Sequence, residues 1–359
     1  MKILFLTNIP SPYRVDFFNE LGKNCDLTVA FEGKNATDRN IKWENKDGFN
    51  FNCIFLNGVR IKADQFICLS VIKMLKQKWD KIVICGYSSP TTMTAIQYLK
   101  LKKIPFYIEV DGGLVKQDSW FKYKIKQYFL SSAIGWFSSG KETTKYLVHY
   151  GADKDKIIEY PFTSLKEQDI LKRVPTKQEK LNLRKELNLK EQKIILSVGQ
   201  FIYRKGYDIL IKAMQNIDKN IGVYIIGDNP MQEYLNLQQQ YNLTNLHFVG
   251  FKIKEDLKKY YMSADLFVLP TREDIWGLVI NEAMAMGLPI ITTDKCVAGL
   301  ELVENGINGY IISIENSEIL AEKINKIFNE DYKQMGRDSL NKIKNYTIEN
   351  MVKTHCCLL

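Results

Sequence analysis

The chain has only three histidines in 359 residues, His149, His247 and His355, each within or beside a helix or strand pattern. That argues against a histidine-centred base or catalytic triad. Its seven cysteines, Cys25, Cys53, Cys68, Cys85, Cys296, Cys356 and Cys357, show no paired spacing, and most lie in apolar runs. A disulfide framework and a zinc site are thereby excluded, and buried thiols in a reducing compartment are expected. No G-x-G-x-x-G opens either half of the chain, which removes the fingerprint of a Rossmann oxidoreductase. No apolar run approaches the roughly 20 residues needed to span a membrane. Met1–Leu6 is too short an apolar segment for a signal peptide, and Pro10-Ser11-Pro12 interrupts it. A cytoplasmic protein is the expectation. Short-period repeats and low-complexity tracts are absent as well. The tail Cys356-Cys357-Leu358-Leu359 has the form of a prenylation signal. Without an upstream polybasic run it reads as an apolar helix end.

What is present is ordinary globular material, 45% hydrophobic and 25% charged, enough for two cores. The formal net charge is +9. Residues 1–170 hold 25 basic and 18 acidic side chains, against 25 and 23 in the remainder, so the basic excess belongs to the first half. Such a surface suits phosphates or an anionic membrane leaflet, and equally the plain solubility of a lysine-rich chain. Nucleic acid is not implied.

Short apolar runs alternate with amphipathic segments, the pattern of parallel α/β sheets. In the first half the runs are Ile3–Thr7, Leu27–Phe31, Cys53–Leu56, Ile82–Cys85, Phe106–Glu109, Gly135–Ser138 and Lys156–Glu159. Helical spacing predicts helices near Val15–Leu21, Ala63–Lys78, Thr91–Leu101, Trp120–Leu130 and Glu142–Tyr150. A second cycle has strands at Ile194–Val198, Val223–Gly227, Leu246–Val249, Leu266–Leu269 and Ile290–Thr292, with helices between them. The resulting division is a Rossmann-like domain over 1–160, a connection with a lead-in helix over 161–192, a second Rossmann-like domain over 193–344 and a final helix over 345–359.

The most informative stretch is Leu269–Asp294, LPTREDIWGLVINEAMAMGLPIITTD. A strand ends at a proline, a short acidic loop follows, and a helix runs from Leu278 until Gly287-Leu288-Pro289 stops it. Asp274 lies in the loop and Glu282 in the helix. Backbone N–H groups at a helix start suit an anion such as a phosphate. Ionised carboxylates only accept hydrogen bonds and so suit hydroxyls. Phosphate plus polyol describes a nucleotide sugar. This stretch resembles the signature of retaining glycosyltransferases of family 4: two acids separated by seven residues, then Ala-Met and Gly-x-Pro. The family usually has Glu where this chain has Asp274.

The resemblance implies the GT-B architecture, an α/β fold of two Rossmann-like doubly wound domains facing a central cleft. The first would bind the acceptor and the second the nucleotide sugar, with the last helix crossing back to the first domain. It implies a second site in Ser197–Lys212, SVGQFIYRKGYDILIK, where a basic pair would grip the diphosphate. Lys205 matches the family lysine; Gln200 occupies the usual arginine position, and Arg204 is the candidate replacement. Two adjacent cations past the carboxyl end of a strand suit a diphosphate on physical grounds also. By the same resemblance Gly199, Gly227 in IIGDNP, and Phe251-Lys252 line the nucleotide. The N–H groups of Ile275, Trp276, Gly277, Leu278 and Val279 face the phosphates, Asp274 holds donor-sugar hydroxyls, and Glu282 holds the ribose.

In the first domain Asp111, on the Gly112-Gly113 turn after a strand, is the candidate near the acceptor hydroxyl or donor sugar. A turn aspartate bonded to its own backbone is the competing reading. The first crossover loop, Asn8–Tyr13 with Arg14, and Gly86-Tyr87-Ser88-Ser89 are further candidates for ligand contact. Asp153-Lys154-Asp155 has the look of a metal motif but follows a helix-ending glycine, so it reads as a structural turn, and no metal is implied. In Lys116–Leu130, Phe121, Ile125, Tyr128 and Phe129 form one helical stripe beside Lys122 and Lys126. Core packing is the expectation; an interfacial helix on anionic lipid is the alternative.

The expected activity is metal-independent transfer of a hexose from a nucleoside-diphosphate sugar, UDP-linked, to a glycan or lipid-linked acceptor in cell-surface polysaccharide synthesis. No cofactor beyond that co-substrate is implied, and peripheral contact with the inner face of the membrane fits the basic half. The rival readings are a GT-B nucleotide-sugar epimerase and a non-catalytic nucleotide-sugar-binding protein.

Overall fold

Runs such as Ile3–Leu6 and Ile194–Leu196 are buried throughout, as expected of parallel strands covered on both faces. The computed structural model describes residues 1–35, 48–62 and 65–357. The chain divides into two units, Met1–Ser164 with Tyr346–Leu359, and Leu165–Asn345. Residues 161–164 therefore go with the first unit, and the remainder of the expected connection goes with the second.

The first unit contains β1 (Lys2–Thr7), β2 (Asp26–Phe31), β3 (Asn52–Phe55), β4 (Val59–Lys62), β5 (Gln65–Ile67), β6 (Lys81–Cys85), β7 (Tyr107–Val110), β8 (Gly135–Ser138) and β9 (Ile157–Glu159). Seven of these form one parallel sheet in the order β3-β2-β1-β6-β7-β8-β9, while β4 and β5 make a separate antiparallel pair. Helices α1 (Pro12–Leu21), α2 (Val71–Leu75), α3 (Pro90–Lys102), α4 (Trp120–Leu130) and α5 (Lys141–His149) connect them. The helix expected over Ala63–Lys78 is found only in part. Ala63 and Asp64 lie outside the described residues, Gln65–Ile67 is strand, and only Val71–Leu75 is helical. Thr91 explains the extended segment: its hydroxyl donates to the Phe66 carbonyl at 2.7 Å and accepts from the Cys68 amide at 3.1 Å. Tertiary hydrogen bonds here outweigh a helical spacing.

Helix α4 forms as expected but does not bury its stripe. Trp120 and Phe121 are 74% and 68% exposed, and Leu130 is its only buried residue. The core-packing expectation for Phe121, Ile125 and Tyr128 is thus overturned; the helix meets the core through Tyr123, Phe129 and Leu130 instead.

The second unit has β10 (Lys193–Val198), β11 (Ile221–Ile226), β12 (Leu246–Val249), β13 (Leu266–Leu269), β14 (Ile290–Thr293) and β15 (Gly309–Ile312), in the parallel order β12-β11-β10-β13-β14-β15. Its helices are α6 (Lys177–Glu186), α7 (Tyr207–Ala213), α8 (Gln232–Gln240), α9 (Lys254–Ser263), α10 (Leu278–Ala285), α11 (Val297–Leu302), α12 (Ser317–Asn329) and α13 (Tyr332–Ile343). The lead-in helix α6 opens on a capping box, Thr176 with Glu179. Buried Lys180 and Arg184 of α6 then bond Asp265 just before β13, at 3.0 and 2.7 Å. Those charge-assisted bonds explain why α6 packs with the second unit. The final helix, α14 (Ile348–Cys356), packs on α1 of the first unit, with His355 against Phe17 at 4.8 Å between ring centroids. Leu358 and Leu359 of the tail lie outside the described residues. Among the described residues no helix is long and apolar enough to cross a membrane.

Candidate functional site

In the second unit the carboxyl ends of the parallel strands carry the residues singled out above. After β10 the chain makes a tight turn at Tyr203–Lys205 and enters α7 through Gly206. Gly206 has φ +68°, and a Cβ there would lie 2.1 Å from the Pro270 carbonyl oxygen. Only glycine allows the basic turn to lie this close to the loop after β13. The consequence is a charged cluster. The Lys205 Nζ donates to Asp274 Oδ2 at 2.5 Å, and both residues are 9% exposed. Arg204 remains exposed, donates to the Glu273 carbonyl at 2.7 Å and sits 3.5 Å from Asp274 Oδ1. Gly199 and Gly227 line the same end of the sheet: a Cβ on Gly199 would come 3.3 Å from Lys205 Cε, and one on Gly227 would come 2.5 Å from the Gly199 carbonyl oxygen.

The loop from Asp274 to Gly277 is held by the loop after β14. The Asp274 amide donates to the Lys295 carbonyl at 2.9 Å, and its carbonyl accepts from Val297 at 3.2 Å. Trp276 is buried, its indole N–H donating to Asn281 Oδ1 at 2.9 Å. Its carbonyl accepts from the Ala298 amide at 2.9 Å and from the Cys296 thiol at 3.1 Å. Burial pushes the Cys296 thiol up to about 12, so it acts as a packing and hydrogen-bonding group. Gly277, at φ +103°, turns the chain directly into α10. Leu278 and Val279 therefore occupy the first turn, whose N–H groups have no intrahelical acceptor. Ile275 projects outward, 59% exposed.

The structure thus brings Arg204, Lys205 and Asp274 into one cluster. Glu282 and Lys252 instead meet α9: Tyr261 donates to Glu282 Oε2 at 3.0 Å, and Lys252 lies 5.9 Å from the Tyr260 ring centroid. Phe251, just past β12, is half-buried. A residue the sequence reading passed over is Arg272. Its guanidinium makes two 2.8 Å bonds to the two carboxylate oxygens of Asp208, pairs with Glu315 and lies 3.8 Å over the Tyr203 ring. Burial opposes ionisation of Asp208, but the Arg272 bonds and charge outweigh it and hold that carboxyl below its ordinary range. The only signal in the sequence was an arginine beside two acids.

The first unit has its own polar cluster at the ends of β1 and β7. Arg14, from the start of α1, donates to Glu109 Oε1 at 2.6 Å and to Asp111 Oδ1 at 2.5 Å. Tyr160 donates to the same two oxygens at 3.0 and 3.1 Å. Asp111 is therefore bound by side chains from distant parts of the chain. Burial, aided by the neighbouring Glu109 charge, leaves its carboxyl above the usual range despite Arg14. Glu109 is fully buried, but Arg14, His355 and Tyr160 hold it below its ordinary range. The sequence places Glu109 at a strand end and His355 near a helix pattern, with nothing to link either to this cluster. His355 is fully buried, with Nδ1 at 2.8 Å from the Met351 carbonyl and Nε2 without a hydrogen-bond partner among the described residues, 3.9 Å from Glu109 Oε1. Tyr87 of the Gly86–Ser89 loop pairs with Tyr146 of α5. Asp153 caps a short turn, accepting from Asp155 at 3.2 Å and pairing with Lys156 at 2.9 Å, the geometry of a structural turn.

Residues 179–349 match the model of the family described as glycosyl transferases group 1. An uncharacterized glycosyltransferase of Methanocaldococcus jannaschii is 34% identical over 160 residues, 43% of this chain and 40% of that protein. The capsular polysaccharide biosynthesis glycosyltransferase CapM of Staphylococcus aureus is 31% identical over 152 residues, 40% of this chain and 38% of that protein. The chain spans under half the length of these curated relatives. Among solved structures, HepE of Anabaena in complex with UDP superposes with a TM-score of 0.78 at 15% identity, covering 99% of this chain and 98% of that one. The same protein has also been solved with UDP-glucose. The two α/β Rossmann-like domains with parallel sheets have the GT-B fold of such neighbours.

Proposed function

We propose that the protein is a retaining glycosyltransferase of family 4. It moves a hexose from a UDP-sugar to a glycan or lipid-linked acceptor in cell-surface polysaccharide synthesis. One observation carries the reading: the buried Lys205–Asp274 pair, with Arg204 beside it, at the strand ends of a unit that matches glycosyl transferases group 1. CapM, named for capsular polysaccharide synthesis, supports the polysaccharide setting, and the UDP held by HepE supports the donor.

The bond between the anomeric carbon and the diphosphate oxygen breaks as the acceptor oxygen bonds that carbon from the same face. The acceptor proton passes to the departing diphosphate oxygen. Negative charge grows on the diphosphate in the transition state, so cations already in place there lower the barrier most. Lys205, Arg204 and the first-turn N–H groups of α10 supply that charge without a metal. Asp274 accepts from sugar hydroxyls, Glu282 from the ribose, and Asp111 faces the acceptor hydroxyl or donor sugar. The basic first half suits peripheral contact with an anionic membrane on the cytoplasmic side.

Lys205→Ala and Glu282→Ala separate the two roles. Lys205→Ala is expected to lower kcat on the order of 10²–10³-fold, like removal of one preorganised donor. Glu282→Ala is expected to raise KM for the donor. Transfer left intact in both variants would show that the site lies elsewhere.

A further inference from the structure

Arg272 has no place in the charge scheme above, yet its guanidinium bonds Tyr203, Asp208 and Glu315 beside it. It sits between β13 and Asp274, and its backbone and side chain join three loops at the carboxyl ends of β10, β13 and β15. Its amide donates to the Arg204 carbonyl at 2.8 Å, and its Nη1 donates to the Tyr203 carbonyl at 2.7 Å. The neighbouring Thr271 hydroxyl also donates to the Arg204 carbonyl, at 2.9 Å. The guanidinium then grips Asp208 at the start of α7 and reaches Glu315 beyond β15, at 3.1 Å from Nη2 to Oε2. Glu315 itself has φ +59°, an uncommon backbone for a non-glycine residue. The Arg272 and Asp208 side chains are only 12% and 7% exposed, so the paired bonds between them are shielded from bulk water and correspondingly strong, while Glu315 is 47% exposed.

The Tyr203–Lys205 turn is where the candidate diphosphate cations lie. Bonds to the carbonyls of Tyr203 and Arg204 fix the backbone on which the Arg204 and Lys205 side chains are mounted. The same arginine is two residues from Asp274, the partner of Lys205. We infer that Arg272 is a positioning residue: its guanidinium locks the basic turn to the acidic loop, setting Arg204 and Lys205 for the leaving diphosphate without touching it. This rests on the glycosyltransferase reading. A lysine at 272 would keep the charge but could not present a planar fork to Asp208 while also reaching Glu315.

The test uses the full chain with Arg272→Ala, Arg272→Lys and Asp208→Asn, measuring kcat and KM for a UDP-sugar, UDP affinity by calorimetry, and thermal melting of each variant. Displacement of the cations by about 1 Å is expected to lower kcat on the order of 10²-fold. KM for the donor should change far less, because the loss falls on the transition state. Arg272→Lys should stay close to Arg272→Ala, Asp208→Asn should fall between them and wild type, and millimolar guanidinium should restore part of the rate to Arg272→Ala. Wild-type turnover in folded Arg272→Lys, or a rate loss matched entirely by loss of folded protein, would overturn the inference while the functional reading stands. A wild-type protein that binds no UDP and transfers no sugar would overturn both.

Discussion

A methyl group on Gly206 would strike the Pro270 carbonyl, and the residue's φ of +68° is strained for any side chain. Gly206→Ala is therefore expected to destabilise the second unit by more than about 1 kcal/mol. Melting should fall by about 2–4 °C for each kcal/mol lost. An unchanged melting temperature would mean that the turn has room the structure does not show. At the neighbouring position, Lys205 and Asp274 neutralise each other across 2.5 Å. Asp274 is one methylene shorter than the glutamate its family resemblance leads one to expect, and the lysine reaches it directly. Lys205, Gly206 and Asp274 were legible in the sequence because each lies in a contiguous pattern of strand end, loop and helix start. Arg272 was not, since its partners Asp208 and Glu315 lie 64 and 43 residues away. Likewise Arg14 and Glu109 are 95 residues apart. Spacing within a window cannot reveal a pairing made by the sheet.

Among the secondary-structure elements, α14 has the clearest physical consequence. It delivers His355 into the first unit, stacked 4.3 Å from Phe137 and near Glu109, Arg14 and Tyr160. Burial lowers the His355 pKa from 6.5, against the pull of Glu109 and the Met351 carbonyl. The unfolded chain therefore binds a proton that the folded chain refuses. Stability on this account is full well above pH 6.5 and is lost as pH falls from about 6.5 toward the folded value. Glu109, held low, adds a loss only below its ordinary value of 4.5, while the raised Asp111 contributes in the opposite sense. His355→Phe keeps an aromatic ring among Phe17, Phe137 and Tyr160 and removes the titration. Its melting temperature should drop less than that of wild type between pH 7.5 and 5.5, measured by circular dichroism; parallel drops would exclude His355 as the cause. The alternation of strands and helices was readable from apolar runs. The β4–β5 pair was not, because Phe66 and Cys68 are held extended by Thr91. The exposed aromatic residues of α4 were misread for a related reason: a stripe records periodicity, not whether anything covers it.

For the whole molecule, two α/β units with parallel sheets fit the proposed transferase, and the basic excess falls in the half assigned to the acceptor rather than to the donor. The fold alone does not distinguish transfer from epimerisation or simple binding, since one fold hosts many activities. Acceptor dependence does. The direct measurement is release of UDP from a panel of UDP-sugars, with and without a glycan or lipid-linked acceptor, beside the Lys205→Ala variant. The account predicts release that requires acceptor, yields a glycosylated product with the donor's anomeric configuration, and falls on the order of 10²-fold or more in the variant. Release that proceeds equally without acceptor, or none from any UDP-sugar, would contradict it.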